Sequence, residues 1–425
     1  MAIYLDHQAT TPTHPSVIDA MQRLWRDDFG NPHSSEHIVG WNANSKVEKS
    51  KQIIADILLC EADEIVFYSG ATEANNHAIF SLSNLSKALP DRQQVIISSI
   101  EHKCVIEAAQ FWAENFNLHV EMVDVNKDGH VDLEDLKKLL EVPTLFCSIM
   151  SVNNEVGTVQ DIPTISQILR EKAVFFHSDC AQALKAIDGN SIAEFVDIAT
   201  FSGHKIGGPQ GIGCAFISGN LQSEIVPLTL GGGQQNGLRS GTLPLPLVVG
   251  LAKAFELFRD DEEPISKRQN LANLRDIFWT ELQKGIPDIQ LNGPDLKVRH
   301  PGNLNIYFPG VRASDLLMML QPKLCASSGS ACSSGSIEPS YVLQALYGDP
   351  VRAQSSIRLS IDQSTTDENL RDAVEMFRTV YLKLKRSTKF LGTVLSLVLV
   401  IREGNFIFHK GFGKVFKLWT FTAKI

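Results

Sequence analysis

The chain has 425 residues and a formal net charge of −9. This length allows two or three domains with a large apolar core, and the acidic balance argues against a general nucleic-acid-binding surface. The seven cysteines are scattered without a C-x-x-C pair, which favours reduced thiols in a cytosol over disulfides or a zinc site. Because residues 1–12 have neither a basic segment nor the apolar core of a secretory signal, we expect a cytoplasmic protein.

From about residue 46 onward, helical segments alternate with short apolar runs. The runs are EIVFYSG, QVIISSIEH, TLFCSIMSVNNE, AVFFHSDCAQ, IATFSGHK and GIGCAFI. This alternation predicts a mainly parallel sheet with helices on both faces. Ligands bind at the carboxyl ends of the strands in such sheets, so the polar clusters that end the runs should converge on one edge.

The residues after the first run have two interpretations. Gly70, Ala71 and Thr72 lie between a predicted strand and a predicted helix, where free backbone N–H groups and the Thr72 hydroxyl can bind a phosphate. The alternative is a tight turn with Thr72 as the helix N-cap, and this stretch taken alone favours it.

The segment DVNKDGHVDLED, residues 124–135, nearly matches a calcium-binding loop. Its last position is Asp135 rather than glutamate, and the preceding LHVEMV is typical of a strand where a calcium hand needs a helix. We therefore predict a turn at Asp128 and Gly129, with Asp132 capping the next helix.

Two later runs end in residues that match the needs of pyridoxal phosphate. Lys205 can form a covalent C=N bond with the cofactor aldehyde, and its neighbours Ser202 and His204 can hold the phosphate. Asp179 and Gln182 end the run before it, where a carboxylate favours a protonated ring nitrogen and an amide can bond the phenolic oxygen. Each residue alone is more often found in a turn or a cap, and it is the combination that predicts the cofactor.

A glycine-rich stretch, GGGQQNGLRSGT, can bring its backbone or Thr242 to the same phosphate, or it can be a flexible connection. Beyond Pro264 the pattern changes to a long helix, KRQNLANLRDIFWTELQKG, and short strands, which predicts a second, smaller domain. The predicted organisation is an N-terminal segment packing with the small domain (1–14), a large cofactor-binding domain (15–260), a small domain (261–386) and an atypical C-terminal extension (387–425).

Cys332 lies in a stretch of glycine, alanine and serine that predicts a mobile, exposed loop. A thiol on such an arm can approach a bound substrate and carry sulfur to a second protein, whereas the alternative is a buried, inert cysteine. Cys325 borders an apolar segment, and we assign it a structural role. Arg358, in SSIRLS, suits a forked grip on a substrate carboxylate, and a surface ion pair is the competing interpretation.

The C-terminal extension carries six basic residues and one acid, a net charge of +5 that leaves −14 for the rest of the chain. Its apolar run, 390–401, is shorter than the ~20 residues of a membrane-spanning helix. The β-branched content of this run and the turn-like REGN that follows predict two strands of a hairpin.

Taken together, the motifs resemble those of the NifS/IscS cysteine desulfurases, in the class V aminotransferase group. The matches span about residues 1–385 in the family's order: YLDHQATTP, FGNPHS, YSGATEANN, EHK, VNNEVG, HSDCAQ, SGHKIGGPQGIG, GGGQQNGLRSGT, SSGSACSSGSIEPSYVL and SSIRLS. The resemblance implies a fold-type I pyridoxal-phosphate enzyme, an α/β protein with a mainly parallel seven-stranded sheet in the large domain and a smaller α+β C-terminal domain.

The resemblance also implies the reaction, in which L-cysteine becomes L-alanine and its sulfur becomes a persulfide on Cys332. The sulfur would pass to acceptors such as an iron–sulfur scaffold protein, and Cys332 would also be a transient cluster ligand. Lys205 would bind the cofactor covalently and move the Cα proton, and His102 would stack on the ring and act as acid or base toward the substrate thiol.

The remaining implied roles concern binding. Asn154 and Arg358 would orient the substrate, and the partner subunit of a homodimer would supply Thr242 to the phosphate. The implied cofactor-binding residues are Ala71, Thr72, His102, Asn154, Asp179, Gln182, Ser202, His204, Lys205 and Thr242. The chain departs from the family pattern without removing a reacting group at His7 (tyrosine expected), Cys104 (serine or alanine) and Cys180 (alanine).

Two other functions compete with this one. The first is a related enzyme, such as a selenocysteine lyase or another class V aminotransferase, for which Cys332 would be less central. The second is a non-catalytic scaffold for sulfur-carrier proteins, which predicts no cofactor.

Overall fold

The computed structural model describes residues 2–187, 192–259, 262–329 and 339–402. Their strands are β1 (Ile3–Tyr4), β2 (Ile65–Tyr68), β3 (Gln94–Ser98), β4 (His119–Val123), β5 (Thr144–Ser148), β6 (Phe175–Asp179), β7 (Ile198–Ser202), β8 (Gly213–Ile217), β9 (Gln290–Leu291), β10 (Asn303–Tyr307), β11 (Leu324–Cys325) and β12 (Ser356–Ser360). Their helices are α1 (Pro15–Gln22), α2 (Ile38–Leu58), α3 (Ala71–Asn84), α4 (Lys103–Phe116), α5 (Leu133–Leu139), α6 (Ile162–Glu171), α7 (Ile192–Phe195), α8 (Gly219–Gln222), α9 (Leu245–Glu256), α10 (Glu262–Gly285), α11 (Ala313–Leu320), α12 (Tyr341–Tyr347), α13 (Pro350–Gln354) and α14 (Asp367–Arg402).

The main sheet has seven strands in the order β2-β8-β7-β6-β5-β3-β4. All pairs are parallel except those of β8, which is antiparallel to both of its neighbours. Strands β3, β5 and β7 are buried along their whole length, as their unbroken apolar runs require in a sheet covered on both faces. Every apolar run named above forms a strand of this sheet, so that prediction is confirmed.

Helices cover both faces of the sheet. On one face Ile96 packs in a cluster with Ile54 of α2 and Val248 of α9. Its neighbour Val95 points to the opposite face and packs in a cluster with Ile79 of α3, because successive strand side chains alternate. The sheet is therefore held rigidly at its centre, which fixes the positions of its strand ends.

A second sheet, β12-β10-β9, is antiparallel and packs against α10, α11 and α14. Its core includes Ile306 and Phe308, with the Phe308 ring stacked on Phe377 at 5.7 Å. The parallel pair β1–β11 joins the N-terminus to this region. The predicted fold class, a mainly parallel seven-stranded sheet with a smaller α+β C-terminal part, is confirmed; the residue bounds of the domains stay a prediction.

The C-terminal prediction was wrong where the structure describes it. Residues 390–401 are helical and continue α14, rather than forming hairpin strands. Extending an existing helix fixes one more residue for each added hydrogen bond, whereas a hairpin needs a new nucleus, so modest penalties for β-branched residues are outweighed. Within the described part of the chain, α14 and the other helices lack an apolar stretch long enough to span a membrane.

The segment resembling a calcium loop has the predicted alternative structure. Asp132 caps α5 by accepting hydrogen bonds from the N–H groups of Glu134 and Asp135 at 3.0 and 3.2 Å. Gly129 adopts a φ of +81° in the preceding turn, and β4 stands where a calcium hand needs a helix. The described residues contain no cluster of three or more metal-ligating side chains.

Candidate active site

The carboxyl ends of β2, β3, β5, β6 and β7 lie along one edge of the main sheet, as predicted. Lys205 ends a short 3-10 turn (Gly203–Lys205) that follows β7. Its Nζ donates hydrogen bonds to the carbonyl oxygens of Gln8 and Ala9 at 2.8 and 2.7 Å. The side-chain amide of Gln182 donates to the same Gln8 oxygen at 3.0 Å. The amine and the amide predicted to serve one cofactor therefore meet at a single backbone carbonyl.

The N-terminal segment is part of this site, a role that sequence reasoning missed. Thr11 bonds to the chain around His204, since its hydroxyl donates to the His204 carbonyl at 2.9 Å and accepts from the Gly207 N–H at 3.0 Å. The Thr10 hydroxyl lies 3.1 Å from His204 Nδ1. The only sequence signal for this role was the polar motif QATTP; its partner positions lie almost two hundred residues away.

Asp179 ends β6 and is almost fully buried. One carboxylate oxygen accepts from the amide of Asn75 at 2.8 Å and the other from the Ala181 N–H at 2.9 Å. Asn75 itself has no exposed surface and also contacts His177 and Thr200. Asn75 lies within the motif YSGATEANN, and sequence reasoning gave it no role.

His102 is the N-cap of α4, where its Nδ1 accepts from the Cys104 N–H at 3.2 Å. The Cys104 thiol lies 3.0 Å from the same nitrogen and accepts from the Asn75 amide at 3.3 Å. The end of β3 therefore connects to the end of β6 through Asn75, and His102 and Asp179 belong to one hydrogen-bonded group.

The predicted phosphate donors are only partly assembled within one chain. The Ser202 hydroxyl is buried and lies next to Gly70, the residue that precedes α3: a Cβ added to Gly70 would be 3.9 Å from this hydroxyl. Ser202 is therefore close to the N-terminus of α3. Ala71 and Thr72 begin that helix, but its N-cap is Gly70, so Thr72 is not the cap that the alternative interpretation required. Thr242 is exposed, and the hydrogen bonds among the described residues do not link it to the other donors.

Arg358, in β12, is buried and forms an ion pair with Asp6, so the competing interpretation was right about an ion pair but wrong to place it at the surface. One terminal nitrogen bonds Asp6 at 2.6 Å, and the other donates to the Asn154 carbonyl at 3.0 Å. Its Nε has no hydrogen-bond partner among the described residues. A buried donor without an acceptor costs about 1–3 kcal/mol, which a bound carboxylate would recover. This contact places the Asn154 backbone beside Arg358, and the substrate-orienting roles of the two residues stay a prediction.

Cys332 lies outside the described residues. The described ends on either side of it both contact Glu155: the Ser340 hydroxyl donates to Glu155 Oε2 at 2.6 Å, and a Cβ on Gly329 would lie 2.6 Å from the same oxygen. Burial raises the pKa of Glu155, against the opposing effects of Ser340 and the Arg358 charge. Glu155, in the motif VNNEVG, is a second residue whose role the sequence did not reveal.

Electrostatics separate His204 from the buried thiols. Burial, with the Lys205 charge, lowers the pKa of His204 to about 4, so the imidazole is neutral at pH 7 and can donate one N–H to an anion.

Burial raises the pKa of Cys180 to about 12, which leaves that thiol unreactive. Cys325 lies half-buried in β11, and its structural role stays a prediction. The six described cysteines are all free thiols. The cytoplasmic location that scattered thiols favour stays a prediction.

Comparison with known proteins agrees with this architecture. The family described as aminotransferase class-V matches residues 3–372. The chain is 40% identical over 386 residues to the cysteine desulfurase IscS of Rickettsia rickettsii (strain Iowa), covering 91% of this chain and 92% of that protein. It is also similar to the solved structure of a NifS-like protein, with a TM-score of 0.82, 32% identity and coverage of 89% and 99%.

A further solved structure, of SspA in complex with cysteine, has a TM-score of 0.73 and 32% identity over 85% of this chain and 99% of that chain. The family match covers most of the chain, and the relatives are aligned along nearly their whole length. The chain belongs to the class V aminotransferase family.

Proposed function

We propose that this protein is a pyridoxal-phosphate-dependent cysteine desulfurase, which converts L-cysteine to L-alanine and transfers the sulfur as a persulfide on Cys332. The observation that carries the proposal is the meeting of Lys205, Gln182 and Asp179 at one sheet edge, in a chain 40% identical to a cysteine desulfurase. Such an edge is where ligands bind in open α/β sheets.

The described residues fit pyridoxal phosphate. Lys205 is the amine for its aldehyde, and the two carbonyls that hold Nζ fix where that amine lies. Asp179 bonds neutral donors, so its negative charge is available to a protonated ring nitrogen. Ser202, His204 and the first N–H groups of α3 are donors for the phosphate. When bound, the cofactor supplies an electron-accepting ring that eases loss of the Cα proton and cleavage of the C–S bond.

The protein side chains then divide the remaining work. Lys205 moves the Cα proton, and His102 exchanges a proton with the substrate thiol. Arg358 holds the substrate carboxylate through its unpaired Nε, with Asn154 beside it. The Cys332 thiolate forms an S–S bond to the substrate sulfur as the C–S bond breaks, and the persulfide sulfur passes to an acceptor such as an iron–sulfur scaffold protein. The same cysteine is the proposed transient ligand of a shared cluster.

The proposal includes a homodimer in which each subunit supplies Thr242 to the phosphate of the other. In the single chain Thr242 is exposed, and Leu230 before the glycine-rich loop is 82% exposed. Trp25, Phe29 and Trp41 are also largely exposed. Large apolar side chains in water are typical of surfaces that a partner covers.

Intact-mass measurement after incubation with L-cysteine tests the function. We expect the wild-type protein to gain sulfur and release alanine, and the Cys332→Ser variant to lose the sulfur adduct. Cys325→Ser is the matched control, seven residues earlier on the chain, and should behave as wild type. A sulfur adduct of equal size on Cys332→Ser would contradict the role of Cys332, and a protein that binds no cofactor would contradict the function itself.

A further inference from the structure

Asn75 is fully buried, and all four hydrogen-bonding positions of its amide are used. Its oxygen accepts from Thr200 Oγ1 at 2.5 Å and lies 3.2 Å from His177 Nε2. Its nitrogen donates to Asp179 Oδ2 at 2.8 Å and to Cys104 Sγ at 3.3 Å. A carboxylate only accepts hydrogen bonds, so the NH2 group must face Asp179, and the orientation of the amide is fixed.

The bonds around His102 fix which ring nitrogen carries the proton. A backbone N–H can only donate, so Nδ1, which receives the Cys104 N–H at 3.2 Å, must present a lone pair. The Cys104 sulfur accepts from Asn75 and lies 3.0 Å from Nδ1, so its S–H points at the same lone pair. A proton on Nδ1 would face two donors. Neutral His102 therefore carries its proton on Nε2.

We propose that Cys104 and Asn75 are a positioning pair that holds His102 as the Nε2–H tautomer and ties its orientation to Asp179. This inference rests on the proposed function and deepens it, because it states the form in which His102 begins the reaction. With Nδ1 occupied, His102 first meets the substrate sulfur as a hydrogen-bond donor through Nε2, so it enters the proton exchange with that sulfur as the acid. Cys104 is thus more than a small residue filling space at the start of α4.

The pair also explains which residue can replace Cys104. Serine offers one donor and an acceptor in the same place, so Cys104→Ser keeps both bonds of the pair. Alanine has a similar size but no donor, so Cys104→Ala leaves Asn75 with an unpaired N–H and Nδ1 with the backbone donor alone. If Cys104 merely packs against its neighbours, the two variants should behave alike.

Histidine tautomers can be measured without cofactor or activity. We would label the protein with 15N-histidine, record ring nitrogen spectra of the cofactor-free form, and assign His102 from the signals missing in His102→Gln. We expect a pyridine-type Nδ1 and a pyrrole-type Nε2 in wild type and Cys104→Ser, with mixed tautomers in Cys104→Ala. A pyrrole-type Nδ1 in wild type, or identical spectra for the two variants, would overturn the proposal.

Kinetics of alanine release give a second readout. One lost hydrogen bond predicts a fall in kcat/KM of about fivefold for Cys104→Ala, with an altered pH profile, and a change within about twofold for Cys104→Ser. Cys60→Ala is the control, since Cys60 is also half-buried but follows α2, away from His102. Equal loss in the alanine and serine variants would overturn the pair. If no variant releases alanine while the spectra are as expected, the proposed function fails and the pair stands.

Discussion

Both oxygens of Asp179 accept hydrogen bonds from neutral groups, the Asn75 amide and the Ala181 N–H. The residue is buried at a strand end, and no salt bridge to it occurs among the described residues, so the position is energetically costly for a carboxylate. Two hydrogen bonds offset part of that cost, and a protonated ring nitrogen would offset more. The position therefore selects a cationic ligand.

Asp179→Asn tests this selection. Asparagine places an NH2 group where one of the two carboxylate oxygens accepts, so it cannot keep both the Asn75 and the Ala181 bonds in place, and it brings no charge to the ring nitrogen. We expect cofactor binding to weaken and alanine release to fall by about tenfold or more, because a charge-assisted hydrogen bond contributes about 1.5–3 kcal/mol. The absorbance of bound cofactor and the rate of alanine release measure the two effects.

Asp161→Asn is the matched control for that substitution. Asp161 caps α6 through the Thr164 N–H, and asparagine is an equally good cap, so activity and melting temperature should both be retained. Normal cofactor binding and turnover in Asp179→Asn would contradict the role assigned to Asp179.

Among individual residues, the sequence predicted those that match a group of the cofactor and did not predict those that only hold other residues in place. Lys205, Asp179 and Gln182 could be predicted because an amine, a carboxylate and an amide at strand ends match one cofactor. Asn75 and Gln8 could not, because their role depends on partners that are 104 and 197 residues away. Nothing local distinguishes a buried, fully bonded asparagine from a solvated one.

Among the elements, β6 shows how one strand serves both the core and the site. Asp179 at its end faces the site, and His177, two residues earlier, points to the same face and bonds Ser148 and Asn75. Because the Asn75 nitrogen faces Asp179, His177 Nε2 donates to Asn75 Oδ1. Burial lowers its pKa to about 4.

This neutral histidine predicts how stability depends on pH. Unfolded His177 takes up a proton near its ordinary pKa of about 6.5, whereas the folded form does so only near 4, so its contribution is full above 6.5 and is lost as pH falls toward 4. The slope of the unfolding free energy attributable to this residue is about 1.4 kcal/mol per pH unit in that window. Chemical denaturation of wild type and His177→Gln at several pH values measures it.

We expect His177→Gln to be less stable at pH 7 but to have a shallower slope between pH 6.5 and 4. His119→Gln, at an exposed histidine of β4, should keep the wild-type slope. Parallel curves for wild type and His177→Gln would show that folded His177 is already charged.

Helix α14 shows where prediction from local pattern fails at this scale. Residues 390–401 contain valine, leucine and isoleucine, whose local pattern indicated strands, yet they continue a helix that begins at Asp367. The main-sheet strands were predictable because glycine and polar clusters end each apolar run. No comparable helix-breaking residue separates the C-terminal run from the helix before it. The run is therefore helical because it continues α14, whatever its local pattern favours.

For the whole molecule, the contacts of α14 define how much of the C-terminus is needed. Tyr381 is buried, its hydroxyl donates to the Pro309 carbonyl at 3.0 Å, and Lys385 pairs with Asp288. The family match ends at residue 372. Truncation after Arg386 keeps these contacts, so we expect persulfide formation and the melting temperature to be retained.

Truncation after Phe377 removes Tyr381 and should destabilise the protein by about 3 kcal/mol or more, which makes it the informative comparison. Thermal melting and intact mass after incubation with L-cysteine measure both variants. Loss of persulfide formation in a folded Arg386 truncation would mean that the extension takes part in catalysis.

The N-terminal segment that holds Lys205 is itself held by β12, since the Gln8 N–H donates to Ser360 Oγ at 2.9 Å and Asp6 pairs with Arg358. A ribosome adding ~5–20 residues per second needs roughly 8–30 s to travel from Lys205 to Ser360. During that interval a nascent chain has its lysine but not the clamp that orients it. Products of interrupted translation that end before Ser360 would therefore contain most of the family's motifs and still lack a finished site.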